Sequence, residues 1–557
     1  MSEDLHAQAG GKAGDAGATE STVQGKGLSR RRFLTASAAI GASVALPAAP
    51  ASPASSGSDV TADAGAYMCM SGSEPDTIGV QPAAFTEGAP LREPEVRRSV
   101  NGELRTTLRC QYAYKDVGGY QLYLRTYEAG IPGPTLRLQR GDKLRIRMVN
   151  DLPPNRDPMP ADIDQVHHLN TTNFHFHGSH VSPSGISDNV LRPMEPGRSY
   201  DIEIAIPDDH TAGTYWYHPH NHGAADIQVA SGMAGMIIID GDFDSVPEIA
   251  AARDRVMVLS TVAFDAFGMI ESLDTLFPEH AVPFQTLNGQ RAPTIDMRPG
   301  EVQRWRMLHA GNQDDIFLGL EGHKLHPIAR DGIALWRMDQ PEIRTGDHVR
   351  DDPTAILIVP GQRIDFLVQA GAPGTYELRA LPYDQGYTAP HGLIARLVVS
   401  GAPLPMKLPE KLPPPLATIR DEEITGHRRL TFSSTAPEAP DTEHWQEYKF
   451  FIDGKRFDMN RVDQRVRLGA VEEWEIVNTH FDDHIFHIHT NPFQLIKVNG
   501  KALADPVWLD TVSVPSKGGS VTFRSRFLDF TGRFVLHCHM MNHEELGMMQ
   551  IVEVYKP

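Results

Sequence analysis

Apolar and polar residues alternate along much of the chain with the two-residue period of half-buried β-strands. Residues 120–127 read Tyr-Gln-Leu-Tyr-Leu-Arg-Thr-Tyr, a turn follows at Ile131–Thr135, and Leu144–Val149 alternates again. Short runs of this kind, separated by Gly and Pro at intervals of about 8 to 12 residues, are typical of a sandwich or barrel. The pattern therefore predicts an all-β protein.

A nine-residue pattern, a tight Gly turn followed by a strand, occurs three times, at Leu138–Ile146, Met297–Trp305 and Val466–Trp474. This internal repetition predicts three domains, which we place at residues 96–245, 246–400 and 425–557. Residues 401–424 between the last two are rich in proline, so we expect a stiff, extended bridge there.

The first 95 residues lack the strand pattern. Residues 29–34 read Ser-Arg-Arg-Arg-Phe-Leu, and an Ala-rich, mildly apolar run follows to Leu46. This resembles a twin-arginine export signal, so we predict a signal with a long polar leader over residues 1–51 and a flexible linker or arm over 52–95. No stretch reaches 18 consecutive apolar residues, which argues against a stable membrane anchor. Export would place the protein in the periplasm, at the cell surface or outside the cell.

Composition excludes some classes of function but does not identify one. The 557 residues are 40% hydrophobic and 22% charged, an ordinary balance for a soluble globular protein. The net charge of −19 argues against nucleic acid as a partner, because nucleic-acid binding needs a basic surface. There are three cysteines, and pairing of Cys69 with Cys110 in an oxidising compartment is left open.

The strongest chemical signal lies near the C-terminus, where residues 537–548 read His-Cys-His-Met-Met-Asn-His-Glu-Glu-Leu-Gly-Met. A cysteine with two histidines and a weak axial methionine is the ligand set of a blue-copper site. Residues flanking the cysteine point to the opposite face of a strand, so His537 and His539 are available to a second metal site. Three more histidine clusters occur, at His175–His177, His218–His220 and His484–His489.

These four motifs, H-x-H-G, H-x-H, H-x-x-H-x-H and H-C-H-x-x-x-H with a methionine ten residues after the cysteine, resemble those of the multicopper oxidases. The resemblance covers about residues 96–557, is closest to the bacterial laccase-like three-domain type, and implies three cupredoxin-like Greek-key β-sandwich domains. It also implies four copper ions, namely one type 1 ion, one type 2 ion and a type 3 pair.

Carried over residue by residue, the resemblance implies a type 1 copper held by His484, Cys538 and His543, with Met548 rather than Met549 as the axial ligand. His175 and His487 would hold the type 2 copper. The type 3 pair would be held by six histidines, His177, His218, His220, His489, His537 and His539. Five neighbouring histidines match no ligand position and are interpreted as supporting, surface or pathway residues: His167, His168, His180, His222 and His480.

The expected reaction couples one-electron oxidation of a reductant to four-electron reduction of O2 to water. Cys538 is bonded through the chain to His537 and His539, which gives electrons a short route between the two centres. Reduction of O2 consumes protons, and Glu544 and Asp188 are the candidate carboxylates that supply them. The ligands fall in the first and third predicted domains, so the second is expected to be a spacer.

The reductant is left open between two classes. A laccase-like oxidase would take electrons from phenols or aromatic amines near His484 or His543, whose outer edges are expected to face the surface. A metallo-oxidase would take them from Cu(I), Fe(II) or Mn(II), but the 19 methionines form no methionine-rich insertion. A non-catalytic copper-binding protein is a remote alternative, and a copper nitrite reductase would not need the doubled H-x-H set.

Overall fold

The computed structural model describes residues 80–276, 284–341, 343, 354–387, 389–437 and 447–557. Almost every regular element is a β-strand, which confirms the all-β prediction. The export signal predicted for residues 1–51, Cys69 and most of the predicted arm lie outside the described residues.

The strands form six sheets, which pack in three pairs. The first and second pairs each enclose an apolar core, and the core of the third pair is continuous with apolar residues of the other two. Each pair is a β-sandwich, so the fold consists of three cupredoxin-like sandwiches, as expected. The domain boundaries themselves stay a prediction.

The first sandwich contains two five-stranded sheets. One has the order β1 (Gln81–Pro82), β4 (Tyr120–Tyr127), β3 (Glu103–Val117), β6 (Lys143–Asn150) and β8 (Ser199–Ala205). The other has the order β2 (Val96–Arg98), β5 (Thr135–Gln139), β10 (Gly235–Asp240), β9 (Gly213–His218) and β7 (His175–His177). The predicted strand at 120–127 has the bounds of β4.

The second sandwich has a six-stranded and a five-stranded sheet. The first has the order β12 (Phe284–Leu287), β11 (Arg253–Val262), β14 (Val302–His309), β19 (Arg363–Gln369), β16 (His326–Arg330) and β17 (Ile333–Ala334). The second has the order β13 (Thr294–Met297), β21 (Gly392–Val399), β20 (Gly374–Leu381), β15 (Ile316–Leu320) and β18 (Ile356–Ile358).

The third sandwich repeats the second. One sheet has the order β23 (Phe450–Ile452), β22 (Gly426–Ser434), β25 (Ala470–Asn478), β30 (Gly519–Phe527), β27 (Phe493–Val498) and β28 (Lys501–Leu509). The other has the order β24 (Val462–Arg467), β32 (Met549–Tyr555), β31 (Gly532–Cys538), β26 (His484–Ile488) and β29 (Thr511–Val514).

Three short α-helices complete the described elements: α1 (Ala225–Ala230), α2 (Pro247–Ala250) and α3 (Met541–Glu545). 3₁₀ turns lie at Asp242–Ser245, Leu273–Leu276 and Asp421–Glu423. None of the helices within the described ranges is long and apolar enough to cross a membrane.

The three sequence repeats occupy equivalent places in the fold. Each repeat ends one strand, turns at a glycine and begins a strand of the opposite sheet, as in β5–β6, β13–β14 and β24–β25. The turn residues Gly141, Gly300 and Gly469 have φ of 78°, 78° and 90°, which favours glycine. The repetition predicted from sequence is therefore confirmed.

Two connecting segments lie against the sandwiches. Residues 80–95 are the described part of the predicted arm. Gln81 pairs with β4, and the Leu91 backbone N–H donates to Thr294 O in the second sandwich. The proline-rich bridge is anchored where Trp508 Nε1 donates to Leu416 O and Gln494 Oε1 accepts from the Ile419 N–H.

Candidate metal centres

Strand pairing brings the four histidine motifs together. On β7 and β9, His175 lies opposite His218, and on β26 and β31, His487 lies opposite His537 while Phe486 lies opposite Cys538. Since neighbouring residues on a strand point to opposite faces, Cys538 points away from His537 and His539. Two separate groups of metal-binding side chains result, one on each side of β31.

The first group contains His484, Cys538 and His543, all buried. Cys538 Sγ lies 3.5 Å from His484 Nδ1 and 3.7 Å from His543 Nδ1, and the two Nδ1 atoms are 3.0 Å apart. Burial raises the pKa of the Cys538 thiol to about 12. The arrangement is a trigonal His₂Cys set, in which a bound soft cation would replace the thiol proton.

Met548 and Met549 lie in different parts of the core. Met548 packs in the same apolar cluster as Cys538, whereas Met549 packs with Val190, Phe457 and Val535. The Met548 backbone is held on both sides, because its N–H donates to His543 O and its carbonyl accepts from Cys538 N–H. Met548 is thus the methionine placed beside the His₂Cys set.

The second group contains the other eight candidate histidines, with three sets close enough to share an ion: His175, His487 and His489; His175, His177 and His218; and His220, His489 and His537. His220 Nε2 lies 3.1 Å from both His537 Nε2 and His489 Nε2, and His539 Nε2 lies 3.2 Å from His177 Nδ1. The structure therefore brings all eight together.

Hydrogen bonds to the outer nitrogens fix which atoms face the centre. His218 Nδ1 bonds Pro219 O at 2.9 Å, His487 Nδ1 bonds Asp510 O at 2.8 Å, and His537 Nδ1 bonds Cys538 O at 3.0 Å. A carbonyl only accepts, so each Nδ1 carries the proton and each Nε2 presents a lone pair.

Copper fits this donor set. The Nε2 atoms of His175, His218 and His487 are buried without a hydrogen-bond partner among the described residues. Burial lowers the pKa of these three histidines well below the ordinary value, so they are neutral, which is the form that binds metal. Buried lone pairs that converge without protons between them suit a bound cation.

Both candidate acids touch the second group. Asp188 Oδ2 lies 3.1 Å from His175 Nδ1, and Asp188 Oδ1 accepts from the Phe176 N–H at 2.8 Å. Burial raises the pKa of Asp188 to about 7. Glu544 lies between two ligand candidates, with Oε2 3.0 Å from His537 Nδ1 and Oε1 3.4 Å from His220 Nδ1.

The His₂Cys set is covered rather than open, which corrects the expectation that its histidine edges face the surface. His484 and His543 are buried, with Phe450 stacked on His543 at a centroid distance of 4.0 Å and His480 stacked on His484 at 5.2 Å. These rings are therefore separated from the surface by the groups that cover them.

The second sandwich is not a mere spacer, and that expectation is wrong. Its Arg363 donates to both carboxylate oxygens of Asp510, at 2.9 and 2.6 Å, and Asp510 Oδ1 lies 3.1 Å from His177 Nε2. Neither Arg363 nor Asp510 was predicted as a site residue. The sequence signal for Asp510 was the Asp-Thr pair inside an otherwise largely apolar run from Val507 to Val514.

His222 and His180 belong to the surroundings of the site. His222 Nε2 lies 3.0 Å from Asp164 Oδ1, and its Nδ1 lies 3.5 Å from Glu545 Oε2. His180 Nε2 contacts Asp529 at 2.9 Å on the surface side. Cys110 is buried in β3, and Cys69, whose pairing with Cys110 the sequence left open, lies outside the described residues.

Three β-sandwiches with a His₂Cys set beside an eight-histidine cluster define a copper-dependent oxidase. Comparison with known proteins gives the family, because three multicopper oxidase models match residues 162–243, 255–398 and 429–557. The chain belongs to the multicopper oxidase family. It is an oxidoreductase that uses O2 as acceptor and four copper ions as cofactors.

Relatives span the same architecture. The chain is 26% identical over 518 residues to multicopper oxidase MmcO of Mycobacterium tuberculosis, covering 87% of this chain and 93% of the relative. It is 24% identical over 538 residues to a laccase of Bacillus stratosphericus, covering 84% and 99%. The solved structure of a Campylobacter jejuni multicopper oxidase, described as a metallo-oxidase, is 25% identical with a TM-score of 0.68, covering 85% and 96%.

Proposed function

We propose that this multicopper oxidase is laccase-like and takes single electrons from phenols or aromatic amines. The observation that carries the proposal is the buried set of Cys538 Sγ, His484 Nδ1 and His543 Nδ1, with its aromatic cover. In this proposal His484, Cys538 and His543 hold the type 1 copper with Met548 as axial ligand. Bound copper supplies one-electron redox chemistry at this site and O2 reduction at the histidine cluster.

The eight remaining histidines are proposed to divide as the family resemblance implies. His175 and His487 hold the type 2 copper, and the other six hold the type 3 pair. The convergence of His220, His489 and His537 on one point supports one half of that pair. The approach of His539 to His177 supports the other half.

Cys538 is proposed to connect the two centres. Its side chain faces His484 and His543, while its peptide bonds lead to His537 and His539 in the cluster. A second connection crosses between strands, since the Ile485 N–H donates to Cys538 Sγ and His539 N–H donates to Ile485 O. Electrons thus have both a bonded and a hydrogen-bonded route.

Glu544 and Asp188 are proposed to deliver protons to the cluster. Each is buried and touches the outer nitrogen of a histidine whose other nitrogen faces the cluster. Each carboxylate can therefore pass a proton inward while keeping its histidine oriented.

A phenol or aromatic amine suits the cover of the His₂Cys set. Phe450 stacks on His543 and also lies edge-on to His484, 6.1 Å between centroids. Phe450 is itself fully buried, so a reductant does not stack on it. Only electrons have to cross this aromatic cover, which suits an organic one-electron donor.

A second candidate, oxidation of Cu(I), Fe(II) or Mn(II), is favoured by one observation. Three acidic residues, Asp314, Asp315 and Asp483, are joined by hydrogen bonds through Gln385, Tyr383 and Tyr387. Asp482 and Asp483 directly precede His484 in the chain. Both carboxylate oxygens of Asp315 are buried without a hydrogen-bond partner among the described residues. Carboxylate oxygens are suitable ligands for hard divalent cations.

Oxygen uptake separates the two candidates. We expect the copper-loaded protein to consume O2 with a phenol, at a rate that Asp315→Asn and Asp482→Asn leave nearly unchanged. Uptake driven by Fe(II) or Cu(I) alone, and lost in these two variants, would move the function to metal oxidation.

The protein is further proposed to leave the cytoplasm through the twin-arginine route, on the strength of residues 29–51 in the sequence. The test replaces Arg31 and Arg32 together by lysine. Oxidase activity is expected to move from the exported to the cytoplasmic fraction, and unchanged export would exclude this signal.

A further inference from the structure

Three consecutive residues of the second sandwich, Gly361, Gln362 and Arg363, reach the histidine cluster. Gln362 Nε2 donates to Thr511 O at 3.0 Å, and the Gly361 backbone lies so close to His539 that a Cβ at Gly361 would sit 2.9 Å from its ring. Arg363 is fully buried at the start of β19. This stretch joins the second sandwich to the His177–His539 side of the cluster.

Arg363 forms a bidentate hydrogen bond with Asp510. Nη1 donates to Oδ1 at 2.9 Å and Nη2 donates to Oδ2 at 2.6 Å, while Nε donates to Thr214 O on β9 of the first sandwich. Asp331 supports the same pair, since its Oδ2 accepts from the N–H groups of Asp510 and Thr511 at 3.1 and 3.2 Å. One guanidinium therefore links all three sandwiches.

Asp510 in turn orients His177. Asp510 Oδ1 lies 3.1 Å from His177 Nε2, and the Nδ1 of the same ring faces His539 Nε2 at 3.2 Å. His175, His218 and His487 have the opposite arrangement, with Nδ1 bonded outward and Nε2 free. His177 presents Nδ1 to the cluster because a carboxylate holds its Nε2 proton.

The geometry also explains the glycine of the H-x-H-G motif. A Cβ at Gly178 would lie 2.2 Å from Arg363 Nη2 and 2.4 Å from Asp510 Oδ2, and Gly178 has a φ of +82°. Any side chain at this position would separate the arginine from the carboxylate. The motif glycine thus makes room for a residue of another sandwich.

The bidentate contact keeps Asp510 from becoming a ligand itself. Asp510 lies close enough to His177 and His487 to share an ion with them. With both oxygens bonded to Arg363, its carboxylate instead remains a hydrogen-bond acceptor for His177. Removing Arg363 would leave a buried, unpaired negative charge beside the histidines.

We propose that Arg363 is a positioning residue for the copper cluster, acting through Asp510 to hold His177 with its Nδ1 toward His539. The second sandwich therefore contributes to assembly of the cluster although it supplies none of the proposed ligands. The inference rests on the proposed role of His177 as a copper ligand.

The test measures copper content and the blue thiolate band of three purified full-length variants after copper loading. Arg363→Met removes the guanidinium. Asp510→Asn keeps the shape of the side chain but weakens the bidentate hydrogen bond, and Arg363→Lys keeps the positive charge without the bidentate geometry. Arg304→Met is the matched control, because Arg304 is also buried in the second sandwich and paired with Asp365 but touches none of the ligand histidines.

Arg363→Met and Asp510→Asn are expected to keep the blue band and to lose copper from the cluster, with Arg363→Lys losing less. The control is expected to keep both. Full copper content in Arg363→Met and Asp510→Asn would overturn the inference, as would equal losses of cluster copper in the control. Low copper in the wild-type protein would instead refute the proposed cluster, so the two failures are distinguishable.

Discussion

Met548 and Met549 are neighbours in the chain but face different parts of the third sandwich. Met548 shares the core around Cys538, while Met549 packs near Val190 and Phe457. Replacing Met548 by Leu removes a soft axial donor, so we expect the type 1 potential to rise with the blue band preserved. Redox titration checks this, with Met549→Leu as the matched control. A higher potential in the Met549 variant, or no change in the Met548 variant, would reverse the assignment.

Glu544 offers a test of proton delivery at the scale of one carboxylate. Glu544→Gln keeps the size of the side chain and removes its proton-carrying ability, so O2 reduction is expected to slow by about 10²-fold or more. Reduction of the type 1 site by a phenol in the absence of O2 is expected to proceed at the wild-type rate. Stopped-flow absorbance of the blue band measures both steps.

Asp188→Asn is expected to give the same split between the two steps, since Asp188 contacts His175 as Glu544 contacts His537. Glu553→Gln is the control, because Glu553 pairs with Arg465 and Arg533 and not with a ligand histidine. Wild-type turnover in both test variants would remove these acids from the mechanism.

At the residue scale the sequence predicted most of the site, because metal ligands recur at spacings set by the strand period. His175 and His177, or His537 and His539, lie two apart and so project to one face. Arg363 and Asp510 were not predicted as site residues, because they lie 147 positions apart in the chain and neither belongs to a motif with regular spacing. Only the packing of one sandwich on another brings such residues together.

Among the elements, β9 of the first sandwich lies directly against the backbone of the second sandwich. A Cβ at Gly213, the first residue of β9, would lie 2.2 Å from Gly332 O in the turn between β16 and β17. Gly213→Ala forces these backbones apart, so we expect the free energy of unfolding to fall by about 1–3 kcal/mol. Denaturant titration measures it, and Gly371→Ala, whose nearest contact is a side-chain atom at 3.4 Å, is the control. Equal stability of the two variants would contradict this contact.

The repeated strand–Gly–strand pattern predicted some features of the strands and turns but not others. It predicted the tight turn and the strand that follows it in each sandwich, because such a turn requires a positive φ that glycine adopts without strain. It could not predict sheet order, since the pairing of β11 with β14 or β22 with β25 joins strands more than 40 residues apart. Those pairings depend on the three-dimensional path of the chain.

For the whole molecule, copper is expected to stabilise the folded state. The cluster draws histidines from the first and third sandwiches, so bound ions link domains that unfolding would separate. Each site filled at about a thousandfold excess over its dissociation constant adds about 4 kcal/mol. Calorimetry should therefore show a higher unfolding temperature for the copper-loaded protein than for the chelator-treated protein. Identical temperatures would mean that the ions do not bridge the sandwiches.

Coupling of the His₂Cys site to a complete histidine cluster is tested most directly by the ratio of O2 consumed to electrons taken from a one-electron reductant by the fully copper-loaded enzyme. We expect one O2 to be consumed for every four electrons, with no hydrogen peroxide released, because the His₂Cys site and the histidine cluster work as one unit. One O2 for every two electrons, with peroxide accumulating, would contradict a complete cluster of eight histidines.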